Sequence, residues 1–492
     1  MIPNGRIIKP AGRCILTAPH PYGLALSPDG QLAITANSGT NPLSITLIRG
    51  ILSEHPEVQQ VPPGPATDAG VLASVFMGLA VSPDNETIYV AGGQENKIYL
   101  FEAASGEKKD SIDCSDIVGN QDHSHGYIGD LCLSKDGKTL YAVDQIGFRL
   151  VIADLETKTL RHSVPVGRYP FGLCLSPDEK KVFVANVGMF EYSFIREGRE
   201  KDAGIRPIDY PAFAFGSEEM LNGIENDTLS VPGLGDPNVP ESFSVFAISL
   251  EDPAKPEVVS RIKTGHLVGA LVEGIPAVGG SSPNSMVATD QYVFVSNGNN
   301  DNISVISIDH DSVVHTIALK PDERIRQFRG VIPFGMALSP DQKRLFVAES
   351  GINAIAVIRV ADFKVLGHIP TGWFPSKVEV SKDGKHLIIA NAKGFGSGPN
   401  VGDNHEPGPV GSYIGSLMKG TVQVLEIPHD RRLREMTQEV ISNNFQMTAA
   451  DDAAFSERAN HPIPLYPGEK ESPIRHIVFI SKENRTYDEV YG

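Results

Sequence analysis

Seven related segments share one position that carries a polar side chain in six of them, and these side chains could together form a binding site. The position ends a run of β-branched and aromatic residues, and its occupants are Asn37, Gly92, Asp144, Asn186, Asn297, Glu349 and Asn391. A ring of amides and carboxylates can hold a sugar-like ligand through hydrogen bonds, and basic neighbours can hold an anion. The loops that lead into these segments supply the further candidates His123, His125, Arg168, Tyr169, Arg329, Trp373 and Lys377, and the loop after the last segment supplies Lys393. The sequence therefore predicts a site for a small anionic or sugar-like ligand.

Two other interpretations of these residues stay open. His123 and His125 lie two residues apart, so their imidazoles could share one metal ion, with Asp122 as a third ligand. Alternatively, the asparagines at the ends of the runs cap turns through local hydrogen bonds and bind nothing. The choice depends on the elements that position these side chains.

Internal repetition predicts those elements. One phrase, typified by PFGLCLSPDEKKVFVAN, occurs in seven versions, at residues 21–37, 76–93, 127–144, 170–186, 283–298, 333–350 and 374–391. Each version consists of an apolar strand, a tight turn rich in Pro, Asp and Gly, and a second strand rich in β-branched and aromatic residues. Apolar segments for a third and a fourth strand follow. Seven units of four strands predict an all-β fold, a seven-bladed β-propeller.

The seventh unit lacks a fourth strand after TVQVLEI, and the N-terminal segment GRCILTAPHPYG has the layout of the missing piece. We therefore expect residues 13–17 to pair with residues 421–426 and to close the ring, which removes the exposed edges of the sheet. The two long insertions, residues 188–240 and 393–419, fall in loops on one face of the disc. Inserted length on one face predicts a binding surface or a contact with another domain.

Composition excludes several function classes. The formal net charge of −17 argues against a nucleic-acid partner and against docking on anionic lipid. No apolar run reaches the roughly 18 residues that span a bilayer, and no apolar segment follows the first basic residues as in a signal peptide. The four cysteines are too few for a disulfide framework, and we expect Cys132 and Cys174 to fill the core. We expect a monomer.

The repeats resemble those of YVTN-type propellers over residues 7–428, and their layout is similar to that of lactonase and quinoprotein propellers. The resemblance implies a seven-bladed propeller domain at residues 1–428. It also suggests an alternative function, a lactonase-type hydrolase with a divalent metal at the channel mouth, held by Asp144, Asn297 and Glu349.

The pattern changes after residue 428. Leu433, Met436, Val440 and Ile441 have the spacing of an amphipathic helix, and a Pro-containing stretch follows, so residues 429–470 are predicted to be a helix and a linker. The last segment, residues 471–492, contains IVFISKENRTYDEVYG. It resembles the first strand and the metal-site turn of phosphoesterases of the alkaline phosphatase superfamily.

The propeller and this last segment together resemble a bacterial bifunctional family in which a propeller precedes a phosphoesterase domain. The resemblance implies that Glu483 and Asn484 belong to the metal site, that the complete domain uses a divalent metal, and that the location is periplasmic or secreted. A phosphoesterase domain needs on the order of 250 residues, so we expect only its N-terminal fragment here. The nucleophile would be absent, and the chain alone would be inactive. The propeller would then be a ligand- or partner-binding accessory domain.

Overall fold

The chain was analysed as a computed structural model. The residues that the structure describes are 2, 5–39, 41–118, 121–191, 217–227, 230–272, 274–277, 279–323, 325, 330–397, 414–445, 462–463, 473–476 and 478. Seven antiparallel sheets of four strands each form the blades of a β-propeller, which confirms the predicted fold. In each blade we name the strands A to D from the channel outward.

The first four blades follow one another along the chain, and the first insertion separates strands B and C of blade 4. The strands of blade 1 are Pro21–Leu26, Leu32–Asn37, Ser44–Arg49 and Glu57–Val61. Those of blade 2 are Leu79–Val81, Thr87–Ala91, Lys97–Glu102 and Lys108–Asp113. Those of blade 3 are Ile128–Leu133, Thr139–Asp144, Arg149–Asp154 and Thr159–Pro165. Those of blade 4 are Pro170–Leu175, Lys181–Asn186, Ser244–Ser249 and Glu257–Lys263.

The last three blades complete the ring. The strands of blade 5 are Pro283–Ala288, Tyr292–Asn297, Asn302–Ser307 and Ser312–Ala318. Those of blade 6 are Pro333–Leu338, Arg344–Glu349, Ala354–Arg359 and Lys364–Pro370. Those of blade 7 are Trp373–Val380, His386–Gly394, Gly420–Glu426 and, from the N-terminal segment, Arg13–Thr17.

The N-terminal strand closes the ring as the sequence predicts. Arg13–Thr17 runs antiparallel to strand C of blade 7, with Ile15 opposite Val422. The A strands contact one another in order around the channel, and the A strand of blade 1 contacts that of blade 7. The side-chain amide of Gln423 donates to the Ala11 carbonyl at 2.6 Å. This bond holds the segment that leads into the strand.

The turn between strands A and B explains why the repeat needs its Ser-x-Asp pattern. In blade 1 the Ser27 hydroxyl donates to Asp29 Oδ1 at 2.5 Å and accepts the Leu32 N–H at 2.9 Å. Asp29 Oδ1 also accepts the Gln31 N–H at 2.9 Å. The same serine–aspartate bond recurs in the turns that begin at Ser82, Ser134, Ser176, Ser339 and Ser381. These local bonds stabilise the turn and fix the register of the two strands.

The core lies between adjacent blades. Strands B and C of each blade are buried on both faces, and their side chains pack against those of the next blade. Phe183, Phe294 and Phe346 occupy the same position of three B strands and are fully buried. The B strands of blades 4 and 7, after which the two insertions begin, end on the same face of the disc as the loops between successive blades, and we call it the insertion face. The Ser-x-Asp turns lie on the other face, the turn face.

The remaining elements are short, apart from one helix. Three two-stranded ribbons consist of Ile117–Val118 with Gln121–Asp122, Gly223–Glu225 with Ser230–Pro232, and Leu271–Val272 with Ile275–Pro276. The helices are Ala69–Leu72, Glu218–Asn222, Ile414–Leu417 and Asp430–Asn444. Within the described ranges no helix is long and apolar enough to cross a membrane.

Helix Asp430–Asn444 buries the four apolar residues that the sequence marks, Leu433, Met436, Val440 and Ile441. It packs on strand D of blade 6, where a Cβ at Gly367 would lie 2.5 Å from Thr437 Oγ1. Glycine is therefore required at this contact. By the clustering of its contacts, the chain divides into two units, residues 1–444 and 445–492.

Candidate functional site

The polar residues at the ends of the B strands are buried inside their blades. The side chains of Asn37, Asp144, Asn186, Asn297, Glu349 and Asn391 are all completely inaccessible. Each asparagine amide bonds to the neighbouring C strand; Asn37 Nδ2, for example, donates to Thr46 Oγ1 at 2.9 Å. Asn297 Nδ2 donates to Ser304 Oγ at 2.8 Å in the same way. The structure thus gives these residues a role within the blade, and their role in ligand binding stays a prediction.

Two blades replace the asparagine by an acid and provide a basic partner for it. Asp144 accepts a hydrogen bond from Arg149 Nε at 2.8 Å and from the N–H groups of Tyr127 and Gly147 at 2.8 and 2.9 Å. Glu349 Oε2 lies 2.7 Å from His368 Nδ1, and both side chains are at most 2% exposed. Buried charges need such partners because their desolvation is costly.

The proposed metal ligands do not meet among the described residues. Asp144, Asn297 and Glu349 belong to three different blades, and each makes hydrogen bonds with its own blade or the adjoining loop. Asn297 Oδ1 and Glu349 Oε1 are buried without a partner among the described residues, so the divalent-metal site stays a prediction. His123 is 6% exposed, whereas His125 is exposed to solvent. No group of three or more His, Cys, Asp or Glu side chains that could hold a metal occurs in the part of the chain that the structure describes.

The predicted loop residues separate into three groups. Trp373 and Lys393 come together: the Lys393 ammonium lies 5.0 Å from the Trp373 ring and 5.4 Å from the Phe374 ring. Arg168 donates to the Met189 carbonyl at 2.8 Å, beside the start of the blade 4 insertion. The candidates Arg329, Glu483 and Asn484 lie outside the described residues.

Lys377 lies in the main candidate site, in a strand and not in the loop where it was predicted. It belongs to strand A of blade 7 and lines a cavity of about 330 Å³ in the central channel. Asp130 of blade 3 and Glu379 of blade 7 line the same cavity. All seven blades contribute to the channel, so side chains that are far apart in the chain meet here.

These three charged residues break the pattern of the A strands. The position of Asp130 and Lys377 is glycine in four other blades, and the position of Glu379 is alanine in three. The remaining polar substitution is Ser285, which also lines the cavity. A narrow channel lined by glycine and alanine leaves free space, and the charged side chains of blades 3 and 7 extend into it.

Enclosure changes the acidity of both carboxyl groups. Desolvation raises the pKa of Asp130 to about 6, although the Lys377 ammonium and the Leu131 and Leu173 N–H groups act in the opposite direction. Desolvation likewise raises the pKa of Glu379 to about 7, against the attraction of Lys377. The Glu379 carboxyl has no hydrogen bond or ion pair with any described residue. Perturbed carboxyl groups that line a cavity are typical of functional sites.

Aromatic rings surround the insertion-face end of the channel. Phe171 of blade 4 lies 5.6 Å from Phe76, just before blade 2, and 5.9 Å from Phe334 of blade 6. The Tyr22 ring lies 6.2 Å from that of Phe374. We call these five residues the aromatic collar. Such rings can stack on the apolar face of a sugar or attract a cation.

The two thiols that the sequence assigns to the core, Cys132 and Cys174, pack against hydrophobic clusters between blades. Cys132 lines the cavity, Cys174 occupies the same repeat position in blade 4, and both side chains are half-buried. Desolvation is the main cause that raises the pKa of Cys174 to about 12 and that of Cys132 well above its ordinary value. Both thiols are therefore protonated at neutral pH, and a thiolate is the reactive form of cysteine. They act as small apolar lining groups.

Comparison with known proteins supports the fold. A solved structure of hydrazine synthase from Kuenenia stuttgartiensis has 16% identity and a TM-score of 0.50, with 80% of this chain and 96% of that chain covered. The structure of U3-55K has 11% identity and a TM-score of 0.51, covering 85% and 99%. The WD40 repeats of RRP9 have 12% identity and a TM-score of 0.50, covering 85% and 100%.

At these identities the likeness shows a seven-bladed, WD40-like propeller and nothing about activity. No family model matches the chain, and no curated protein matches it. The resemblance to YVTN-type propellers and to phosphoesterases therefore stays a prediction from the sequence.

Proposed function

We propose that this chain is a binding protein whose central channel holds a small, polyhydroxylated ligand. The observation that supports this most is the departure of blades 3 and 7 from the glycine and alanine pattern, which brings Asp130, Lys377 and Glu379 to one cavity. Its volume, about 330 Å³, is at the small end of the roughly 300–1,000 Å³ typical of ligand pockets.

The charges favour a sugar-like ligand over an anionic one. Two carboxyl groups and one ammonium line the cavity, so an anion would meet a net negative or neutral environment. Hydroxyl groups can donate to Asp130 and Glu379 and accept from Lys377, which satisfies groups that enclosure has removed from bulk water. The aromatic collar offers apolar faces for the carbon side of a sugar ring.

Ligand-observed NMR with neutral monosaccharides tests this function. We expect saturation transfer to the sugar with the wild-type protein and its loss in Ala25→Leu, because Ala25 lines the cavity and a larger side chain fills it. Ala104→Leu, on an exposed turn, is the matched control and should bind normally. Equal transfer in the two variants, or none in the wild type, would contradict a channel site.

A second candidate function is the docking of a protein partner on the insertion face. Large apolar side chains are exposed in loops of this face: Ile117 (76%), Leu271 (73%), Ile146 (58%) and Phe395 (55%). Exposed apolar groups on one face favour a protein contact. We propose that the partner is the metal-dependent phosphoesterase domain that the sequence of residues 477–492 resembles, with the propeller as its accessory domain.

Reading the gene beyond codon 492 tests the identity of this partner. A phosphoesterase domain encoded there would support the accessory role, and any other domain or a stop codon would contradict it. In the first case Ile117→Lys and Leu271→Lys should weaken the contact between the two domains. Val58→Lys, at an outer strand residue that is 45% exposed, is the control.

A further inference from the structure

The channel carries one more negative than positive group. Asp130 and Glu379 line the cavity with a single basic residue, Lys377, and no second basic side chain occurs among the described lining residues. The Lys377 ammonium attracts both carboxyl groups, but no ion pair joins it to either of them within the described part of the chain. One ammonium can balance only one of two ionised acids.

We infer that the channel ligand is an amine, a polyhydroxylated molecule whose protonated amino group binds between Asp130 and Glu379. This inference rests on the proposed function and specifies the ligand class of the same site. The ligand's ammonium supplies the missing positive charge. Its hydroxyl groups form hydrogen bonds with Lys377 and Ser285.

Three further observations support an ammonium rather than hydroxyl groups alone. First, the Glu379 carboxyl is enclosed and has no hydrogen-bond donor among the described residues, so a charged donor gains more there than a neutral one. Second, burial raises the pKa of both acids because it penalises their ionised forms, and a bound cation would stabilise those forms. Third, Tyr22 and Phe334 of the aromatic collar line the cavity and can attract a cation through their ring faces.

Other polar groups of the lining are already occupied and do not compete. The Ser376 hydroxyl donates to the Pro21 carbonyl at 2.6 Å, and Asn284 donates to the Pro333 carbonyl at 3.1 Å while accepting from Ser296. The charged groups available to a ligand are therefore the two acids and Lys377, with the hydroxyls of Ser285 and Tyr22 beside them.

Three sugars that share one ring test the inference: glucosamine, glucose and glucuronate, which place an ammonium, only hydroxyls or a carboxylate on it. Titration calorimetry of the full chain at pH 7.5, above the raised pKa of Glu379, should give a glucosamine affinity about 10-fold or more above that of glucose, as expected for one charge-assisted hydrogen bond. Glucuronate should bind weakest.

Variants separate charge from shape. In Asp130→Asn/Glu379→Gln the preference for glucosamine over glucose should fall to within about 3-fold, because glucosamine loses a charge-assisted hydrogen bond and glucose only neutral-donor ones. Lys377→Met should raise the glucosamine affinity, because a repelling charge is removed. A melting temperature near that of the wild type shows that each variant is folded.

The outcomes distinguish this inference from the proposed function. If glucose and glucosamine bind equally and Ala25→Leu abolishes both, the channel site stands and the ammonium inference is wrong. If glucosamine binds with the predicted preference but Ala25→Leu leaves it unchanged, the amine binds elsewhere and both proposals fail. If none of the three sugars binds, both are likewise overturned.

Discussion

At the scale of single residues, blade 3 contains Arg149, the largest fully buried side chain of the described residues. Arg149 is 1% exposed and contacts Asp144, Asp116 and the Cys114 carbonyl. Removing it leaves Asp144 buried without its counter-ion, so Arg149→Met should lower the free energy of unfolding by about 3–5 kcal/mol. Denaturant titration measures the effect.

Arg161 of the same blade provides the matched control. Its side chain is 48% exposed and pairs with Asp154, so Arg161→Met should cost less than about 1 kcal/mol. Adding Asp144→Asn to Arg149→Met should recover part of the lost stability. Equal costs for the two arginine variants would show that the buried network contributes nothing.

Glu379 predicts an effect of pH on stability. Its pKa is raised to about 7 in the folded state from an ordinary value near 4.5, so the folded protein holds this proton more tightly than the unfolded chain. Stability therefore falls as pH rises through this interval and levels off above it. Glu379→Gln should be more stable than the wild type at pH 8 by on the order of 2 kcal/mol, and about equally stable at pH 4.

The control for this prediction is Glu156→Gln, at an exposed turn, which should show no pH-dependent difference from the wild type. Urea denaturation at both pH values measures all three proteins. A constant difference between the wild type and Glu379→Gln across the range would refute the raised pKa.

Residue roles were the part of the site that sequence reasoning predicted least well. The repeat predicts that Asn186 and Asn391 lie at the ends of B strands, but it does not predict that their side chains are buried. They are covered by Gly167 and Gly372, where a Cβ would lie 2.6 and 2.9 Å from the asparagine Cγ. In both cases the glycine that follows the preceding D strand was the available signal. Lys377 was predicted to be a site residue, whereas Asp130 and Glu379 are recognised only when the A strands are compared position by position.

At the scale of elements, strand Arg13–Thr17 has two different faces. Ile15 is 8% exposed and belongs to a core cluster with Val422 and Ile388, whereas its neighbour Leu16 is 55% exposed. Because side chains alternate along a strand, Ile15→Ala should destabilise the protein by about 2–4 kcal/mol. Leu16→Ala should change stability by less than about 0.5 kcal/mol. Similar costs in denaturant titration would contradict this register.

The strands and turns were predicted well because each repeat carries the local sequence features that determine them. Tight turns, alternating strands and a missing fourth strand are local features, and seven copies reduce the ambiguity of each one. The collar could not be predicted in this way, since Phe76, Phe171 and Phe334 meet only across blades that are not neighbours in the chain.

At the scale of the whole molecule, the channel site exists only when the ring is closed. Asp130 and Glu379 come from blades 3 and 7 and are nearly 250 residues apart in the chain. The N-terminal segment joins these distant parts. Ala11 N–H donates to the Pro370 carbonyl of blade 6 at 3.1 Å, and Ile7 N–H donates to Asn443 of the C-terminal helix at 2.9 Å. Ring closure and ligand binding should therefore be lost together.

Deletion of residues 1–19 tests this dependence. It removes strand Arg13–Thr17 and exposes the edge of strand Gly420–Glu426, so the melting temperature should fall by about 5–10 °C and sugar binding should disappear. A synthetic peptide of residues 5–19, added in excess, should restore both by pairing with that edge. A peptide of scrambled sequence is the control. An unchanged melting temperature after the deletion would contradict the role of this strand in closing the ring.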